Sequence, residues 1–301
     1  MQISRMDLDG RGSGSPDGLV AKILQLEPNL PIPVPIEDVC QQLDIEKIAP
    51  LETEGFEGAL LTDIARSRGI ILVNQQASRQ RKRFTIAHEL GHFLIPTHIP
   101  DVEGRFLCSR HDLSRMSGKE GDRRARMEVE ANRFASLLLI PPPVLKREVR
   151  SRGRPDLQQI PQLHTKFDVS KEAISRAYAT YHEELVAIVI AQDGVVRSIY
   201  QDRMRFPYVH VRPGQRVPRR SAFHRVTLNQ GVATTPEACP AEIWLSEKNG
   251  QRLGEMTEQI YPQANKFALI MLHLAELDEE EEATEREIRK SWEVGFRSRR
   301  R

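Results

Sequence analysis

Two histidines four positions apart lie in an otherwise apolar stretch, RFTIAHELGHFLI, and this feature most restricts what the chain can fold into. Ser78 is a suitable N-cap for a helix that we predict over residues 79–95, and Pro96 cannot continue its hydrogen-bond ladder. On such a helix His88 and His92 project from one face, at a spacing that allows two imidazoles to bind one tetrahedral zinc ion. The stretch therefore predicts a metal-binding helix.

Glu89 follows the first of these histidines directly, beside the face that carries both. There its carboxylate can accept a proton from the water that a bound ion activates, which is the chemistry of a His-Glu-x-x-His pattern. The alternative is a core helix whose histidines make ordinary buried hydrogen bonds. Two histidines at ligand spacing, beside a hairpin predicted from residues 58–61 and 69–73, favour the metal site. Gly91 would let another backbone approach the ligands.

A catalytic zinc site needs a third protein ligand, and a second apolar helix predicted over residues 123–140 can supply it. On its helical wheel Glu128 and Asn132 lie on the buried face, whereas Glu130 points away from that face. A buried carboxylate is costly unless a partner compensates its charge, and a metal ion does so directly. We therefore predict that Glu128 is the third ligand and that Asn132 orients a ligand. We expect metal binding to be independent of Glu130.

Other residues remain candidates for the same roles. Both glutamates of the second helix could instead lie at a solvated margin. The rival ligands in the intervening loop are Cys108, His111, His98 and Asp101. His98 or His111 could also donate a hydrogen bond to a developing oxyanion. Zinc is the metal that two imidazoles and a carboxylate favour, and the same set can hold Mn²⁺ or Fe²⁺.

Composition limits the class of protein and its compartment. A chain of 301 residues exceeds what one hydrophobic core usually organises, so two or three domains are expected. The 39% apolar and 29% charged residues are typical of a soluble globular protein. The 44 basic and 42 acidic side chains nearly cancel, so no overall field attracts nucleic acid or a membrane. Three separated cysteines and a polar N-terminus unlike a secretion signal predict a cytoplasmic protein.

Four stretches occur in a specific order: GFEGALL, GIILVN, RFTIAHELGH and EVEANRFASLLLIPP. Together they resemble the ImmA/IrrE family of metallopeptidases over roughly residues 19–145. The resemblance implies that His88 and His92 are metal ligands and Glu89 the catalytic base. It also implies that Glu128 is the third ligand, in agreement with the helical wheel. Members of the family typically cleave a helix-turn-helix repressor, which switches on stress-response or mobile-element genes.

The predicted fold class is α+β, with a zincin-like peptidase domain at the N-terminal end. The predicted organisation is a flexible leader (1–18), the peptidase domain (19–145), a helix-turn-helix-like helical segment (146–185), a C-terminal α+β domain (186–277) and a charged tail (278–301). In the C-terminal domain, where longer family members carry a GAF-like module, VAIVI, VVRSIY, YVHVR and EIWL predict strands. Residues 264–277 predict a helix, and residues 97–121 predict an irregular loop.

The resemblance implies a helix-turn-helix repressor protein as the partner that is cleaved. No feature of the sequence predicts contact with a membrane. Direct DNA binding through two short helices predicted over residues 160–181 is disfavoured, because glutamates accompany Lys171 and Arg176 there. The basic stretch 203–220 is interpreted as a solvated face. Its alternative is a docking surface for an acidic partner.

A different class of function is also compatible with the sequence. In this alternative the protein is a non-proteolytic regulator that binds DNA or protein through residues 160–275, and its metal is structural. A structural zinc site usually closes with four protein ligands. A fourth ligand such as Cys108 or His111 would therefore favour the regulator, and an open position beside Glu89 would favour the enzyme.

Overall fold

The computed structural model describes residues 3–8, 14–52, 55–63, 65–100, 104–114, 122–226, 231–246 and 255–275. These residues form α-helices and two β-sheets, which confirms the predicted α+β class. The chain divides into two compact units, one of Met1–Glu148 with Ile160–Ala177 and the other of Val149–Gln159 with Tyr178–Arg301. The tail predicted over residues 278–301 lies outside the described residues.

The first unit contains a four-stranded mixed sheet. Its strands are β1 (Ile45–Leu51), β2 (Phe56–Thr62), β3 (Gly69–Asn74) and β4 (Arg105–Ser109), in the order β1-β3-β2-β4. Strands β2 and β3 form the predicted antiparallel hairpin, in which Gly58 pairs with Val73 and Thr62 with Gly69. Strand β1 runs parallel to β3, and β4 runs antiparallel to β2.

The prediction of an irregular loop over residues 97–121 is wrong at β4. In this strand Phe106 and Cys108 are buried, and the residues between and beside them are more exposed, which is the alternation of a strand with one buried face. A strand of five residues with only two buried side chains, within a polar stretch, has too short an alternating pattern to be predicted from the sequence. The pairing with β2 supplies the backbone partners that make the strand.

The helices of the first unit are α1 (Arg5–Leu8), α2 (Pro16–Leu26), α3 (Ile36–Gln42), α4 (Arg79–Leu94) and α5 (Arg123–Leu139). Three further helices have residues in both units: α6 (Pro142–Arg150), α7 (Gln159–Phe167) and α8 (Lys171–Tyr181). Helix α2 begins within the range predicted as a leader. Ser15 caps it by accepting from the amide of Gly18, and Pro16 takes a position where a missing N–H costs nothing.

The two helices predicted to carry the metal ligands are confirmed as helices α4 and α5. The Ser78 hydroxyl accepts a hydrogen bond of 3.3 Å from the amide of Arg81 at the start of α4. The Asp122 carboxylate accepts one of 2.9 Å from the amide of Ala125 at the start of α5. A Cβ added at Gly91 would lie 3.3 Å from the Cα of Ala131, so the backbone of α5 approaches α4 closely at this point, as predicted.

Helices α7 and α8 confirm the two short helices predicted over residues 160–181. The buried apolar side chains of this segment include Leu163, Phe167, Val169, Ile174 and Ala177. Between the helices Asp168 adopts a positive φ of 50°. Its carboxylate accepts hydrogen bonds from Arg79 Nε (2.7 Å) and Gln80 Nε2 (2.9 Å), which fixes this turn to the start of α4. The helix-turn-helix-like character of the segment stays a prediction.

The second unit contains a five-stranded antiparallel sheet. Its strands are β5 (Leu185–Gln192), β6 (Val195–Gln201), β7 (Glu237–Ala238), β8 (Met256–Pro262) and β9 (Phe267–Leu274), in the order β6-β5-β9-β8-β7. Strands β5 and β6 confirm the strands that were predicted from VAIVI and VVRSIY. They are joined by Asp193 and Gly194, both at positive φ, as a tight right-twisted hairpin requires. A GAF-like character of this unit stays a prediction.

Three predictions for the second unit are wrong. Residues 267–274 form strand β9 rather than part of a helix. Because β9 pairs with β5 and β8 and is buried on both faces, its sequence FALIMLHL lacks the alternation that distinguishes a strand. The strand predicted from YVHVR is only an isolated bridge from Val209 to Leu245. The strand predicted from EIWL is replaced at its start by a short 3₁₀ helix over Ala241–Ile243. None of the helices in the described ranges combines the length and apolar character needed to cross a bilayer.

Candidate metal centre

Three side chains from α4 and α5 bring their donor atoms together. The Nε2 atoms of His88 and His92 are 3.0 Å apart. The Oε2 atom of Glu128 lies 3.2 Å from Nε2 of His88 and 3.4 Å from Nε2 of His92. The two imidazoles are 0% exposed and the glutamate 3% exposed. The structure thus brings together the three residues that the sequence predicted as ligands, on the helices predicted to carry them.

Asn132 fixes the tautomer of His88. Its Nδ2 donates a hydrogen bond of 2.8 Å to the carbonyl oxygen of Asp112, which leaves its Oδ1 to accept. That Oδ1 lies 2.9 Å from Nδ1 of His88. Since a neutral imidazole carries a single N–H, the Nε2 atom of His88 then presents a lone pair to Glu128. Asn132 therefore contacts a predicted ligand, and that ligand is His88 rather than Glu128.

The meeting of these donors is unfavourable unless a cation lies between them. Two imidazole nitrogens and a carboxylate oxygen converge at hydrogen-bond distance in a buried site, and the nitrogen of His88 offers a lone pair there. A proton is a poor substitute, because burial lowers the pKa of His92 to about 3, although the Glu128 carboxylate opposes that shift. A divalent cation accepts the lone pairs and offsets the carboxylate charge. The donor set therefore fits a metal ion such as zinc.

The buried Glu89 carboxylate lies next to this group. Among the described residues neither of its oxygens has a hydrogen-bond partner, and the thiol of Cys108 lies beside it. Burial raises the pKa of Glu89 well above its usual value, the Cys108 thiol opposes that shift, and the charges of Glu128 and Asp112 add to it. A raised pKa suits a carboxylate that must take up a proton and release it again.

Gly58 in β2 leaves room for the side chain of Glu89. This role of Gly58 was not predicted from the sequence. A Cβ added at Gly58 would lie 2.7 Å from Oε1 of Glu89 and 2.3 Å from Cγ2 of Thr85. The strand backbone therefore passes directly against the carboxylate. The isolated glycine inside the strand GFEGALL was the available signal, since such a glycine often marks a close approach.

Cys108 is a fourth potential donor at the centre, as one of the rival ligands considered above. Its Sγ and the donor atoms of His88, His92 and Glu128 all lie within 4.8 Å of one another. Burial raises the pKa of the Cys108 thiol well above its usual value, and the charges of Glu89 and Glu128 add to the shift. The thiol and the carboxylate of Glu89 thus share one side of the centre.

The other rival ligands lie elsewhere or play a different part. His111 is exposed and is absent from the potential metal-binding groups found among the described residues. Asp101 lies outside the described residues. His98 is buried, but its Nδ1 faces Nδ1 of His92 at 3.0 Å and its Nε2 faces Oε2 of Glu130 at 3.0 Å. Both ring nitrogens of His98 are therefore engaged, which argues against its proposed use as an oxyanion donor.

An aromatic ring supports His92 from the sheet. The ring of Phe106, in β4, stacks on the His92 imidazole with centroids 4.7 Å apart and an interplanar angle of 28°. Phe106 is itself buried, so both rings of the stack are held in the interior of the protein. The pattern of the loop sequence gave no reason to place this ring at the centre, because β4 was not predicted.

Comparisons with known proteins relate the same part of the chain to metalloproteases. A family model, Peptidase_M78, described as the IrrE N-terminal-like domain, matches residues 40–178. The radiation response metalloprotease IrrE of Deinococcus radiodurans is 32% identical over 123 residues, which are 40% of this chain and 34% of that protein. The chain thus covers about a third of that relative's length.

The family match defines residues 40–178 as a metallopeptidase domain, and the ligand group fits that class. More narrowly, residues 40–178 match the model of the IrrE N-terminal-like domain, so this part of the chain is similar to the ImmA/IrrE family of metallopeptidases. The resemblance drawn from the sequence is thereby confirmed.

Proposed function

We propose that this protein is a zinc-dependent endopeptidase that cleaves a helix-turn-helix transcriptional repressor. The observation that carries the proposal is the meeting of His88, His92 and Glu128 around a common point, with the buried carboxylate of Glu89 beside them. Three protein ligands leave one position of a tetrahedral ion for water or substrate, as catalytic zinc sites require.

In this proposal the three ligand residues hold the ion and Glu89 moves the proton. A bound zinc ion would polarise the scissile carbonyl and lower the pKa of the attacking water. Glu89 accepts the proton of that water and delivers it to the nitrogen of the leaving amine. Its position against β2 keeps it beside the ligands and away from bulk solvent. Asn132 holds His88 in the tautomer that binds metal.

Zinc is the proposed metal. Two imidazoles and one carboxylate are the ligands of many catalytic zinc sites. Mn²⁺ or Fe²⁺ would be accepted by the same nitrogen and oxygen donors. Metal analysis of the protein purified without added metal distinguishes them.

The proposed substrate and biological role rest on the family resemblance. The relative is named as a radiation response metalloprotease, which supports a role in a stress response. The control of transcription rests on the family resemblance alone. The three cysteines are free and buried, as expected of a protein that acts in the reducing cytoplasm.

The direct test is to incubate the purified chain with the helix-turn-helix protein encoded beside its gene. Cleavage that a chelator stops and added zinc restores is the expected result. An intact repressor after incubation with the fully zinc-loaded chain would contradict the proposed substrate.

The second candidate function is a non-proteolytic regulator that binds DNA or protein through residues 160–275 and carries a structural metal. The observation that favours it is Cys108, which could close the site as a fourth ligand. Against it, the Cys108 thiol faces Glu89, which has no evident task in a closed site. The spectrum of the cobalt-loaded protein separates the two functions, because a thiolate ligand gives a charge-transfer band that an open site lacks.

A further inference from the structure

We propose that His98 and Glu130 position His92 for metal binding through a continuous hydrogen-bonded chain, His92–His98–Glu130. This inference rests on the proposed function, since it assigns a role towards the ion that His92 would bind. Neither residue of the pair contributes a donor to the ligand group itself. Their role is to hold one ligand in place.

The contacts that form the chain are short and largely sheltered from water. Nδ1 of His92 lies 3.0 Å from Nδ1 of His98, and Nε2 of His98 lies 3.0 Å from Oε2 of Glu130. His98 is 1% exposed. The side chain of Glu130 is 41% exposed, so the chain begins at the buried centre and ends in a carboxylate near solvent.

The protonation state of each ring follows from the ends of the chain. A metal ligand must offer a lone pair, so Nε2 of His92 carries no proton and its Nδ1 carries one. That Nδ1–H donates to Nδ1 of His98, which must then be the acceptor. The remaining proton of the neutral His98 ring lies on Nε2 and donates to the Glu130 carboxylate. Each atom of the chain thus has one consistent part, donor or acceptor.

The chain also joins the two helices that carry the ligands. His92 belongs to α4, and His98 lies in the turn after it, where its amide donates to the carbonyl oxygen of Ile95 at 3.1 Å. Glu130 lies on α5, two positions after Glu128. The ligands connect α4 to α5 on one side of the His92 ring, and His98 with Glu130 connects them on the other.

The two histidine ligands are held differently, which gives His98 a specific effect. His88 donates to the neutral amide of Asn132, whereas the chain from His92 ends in an ionised carboxylate. A carboxylate at the end of such a chain makes the ligand nitrogen more basic, and the loss of an outer partner typically costs 10-fold to 100-fold in metal affinity, as an order of magnitude. Glu130 was expected to have no effect on metal binding because its side chain points away from the ligands. An indirect effect through His98 was not considered in that prediction.

The experiment measures the zinc dissociation constant of the full chain by competition with a chelator. His98→Ala should weaken zinc binding by roughly 10-fold to 100-fold. Glu130→Ala should weaken it by a smaller factor, and Glu130→Gln by less again, since glutamine keeps an acceptor for His98. Arg126→Gln, an exposed change on α5, is the matched control and should leave the constant unchanged.

A double-mutant cycle separates the chain from independent effects. If Glu130 acts only through His98, Glu130→Ala should have no further effect on zinc binding in the His98→Ala background. Nitrogen NMR of the zinc-loaded wild type should show His98 protonated at Nε2 and unprotonated at Nδ1, a tautomer that a merely structural role of His98 does not require. Fully additive losses of zinc affinity in the double mutant would overturn the inference. A His98→Ala variant with the zinc affinity of the wild type would overturn it as well.

Failure of this inference is distinguishable from failure of the proposed function. If zinc binds the wild type tightly and His88→Ala abolishes binding, the metal centre stands whatever His98→Ala does. If His88→Ala binds zinc as the wild type does, the proposed metal centre is wrong. The hydrogen-bonded series His92–His98–Glu130 then has no ligand to position. Should His98→Ala fail to fold, the Glu130 variants carry the test, because Glu130 is partly exposed.

Discussion

The Oε2 atom of Glu128 lies 3.2 Å from the Nε2 atom of His88, although one residue belongs to α5 and the other to α4. A carboxylate that is 3% exposed and has no hydrogen-bond donor assigned to this oxygen among the described residues would be costly in a site without a cation. The contact therefore identifies the pairing of the two helices as the feature on which the proposed metal binding depends.

Removal of this carboxylate should release the ion. We expect Glu128→Ala to lose zinc on purification, because two imidazoles alone leave the site one protein ligand short of a catalytic centre. Metal analysis of the purified variant measures the loss. Asp38→Ala removes an exposed carboxylate of the same unit and should retain one ion per chain as the wild type does. Full zinc occupancy in Glu128→Ala would reassign the third ligand.

Neutralising Glu89 should separate metal binding from catalysis. Glu89→Gln keeps the three ligands and removes the group that accepts the proton, so zinc should stay bound while repressor cleavage falls by about 100-fold to 10,000-fold. The measurement is the single-turnover cleavage rate of zinc-loaded protein. A variant that cleaves at the normal rate would show that another group is the base.

The glycine beneath Glu89 offers a more local test. Gly58→Ala places a methyl group 2.7 Å from the Glu89 carboxylate, so the carboxylate must move. We expect the cleavage rate to fall and zinc to remain bound, with a loss of about 1–3 kcal/mol in the free energy of unfolding from overpacking. Gly14→Ala is the control, because nothing lies within 4 Å of a Cβ added there.

Cobalt in place of zinc shows whether Cys108 is a ligand. In the enzyme account the thiol faces Glu89, and the cobalt-loaded wild type should lack the near-ultraviolet charge-transfer band of a thiolate–cobalt bond. Cys108→Ser should then bind cobalt with an unchanged visible spectrum. A charge-transfer band that disappears in Cys108→Ser would establish a closed four-ligand site and favour the structural-metal alternative.

The contact between Asp168 and α4 predicts a pH-dependent contribution to stability. Burial would raise the pKa of Asp168, but hydrogen bonds from Arg79 and Gln80 and the charge of Arg83 outweigh it and lower the pKa. The contribution is therefore present above the ordinary value of 3.8 and is lost as pH falls through the lower folded-state pKa.

Asp168→Asn should accordingly reduce the free energy of unfolding by about 1.5–3 kcal/mol at neutral pH, the range for hydrogen bonds to charged groups. Thermal unfolding across pH measures the difference between wild type and variant, which should shrink below pH 3.8. A difference that is constant with pH would show that the charge of Asp168 makes no contribution.

The ligand-bearing helices were predictable because their information is local. The four-residue spacing of His88 and His92, the cap at Ser78 and the buried face of α5 that carries Glu128 can all be read within one helical segment. Asn132 was found for the same reason, since it lies one turn after Glu128 on that face.

The surroundings of the ligands were not predictable, because they depend on pairings between distant segments. Cys108 and Phe106 reach the centre only through the register of β4 against β2. His98 and Glu130 meet only because α4 and α5 pack together, and a helical wheel of α5 alone places Glu130 away from the ligands. Strand β9 was mistaken for a helix because a central strand buried on both faces loses its period.

Anomalous diffraction at the zinc edge, from crystals of the zinc-loaded chain, tests the central claim most directly. The account predicts one peak about 2.0–2.2 Å from Nε2 of His88, Nε2 of His92 and a carboxylate oxygen of Glu128, with a non-protein oxygen in the fourth position beside Glu89. A peak bound at any other place, or no peak between α4 and α5, would contradict it.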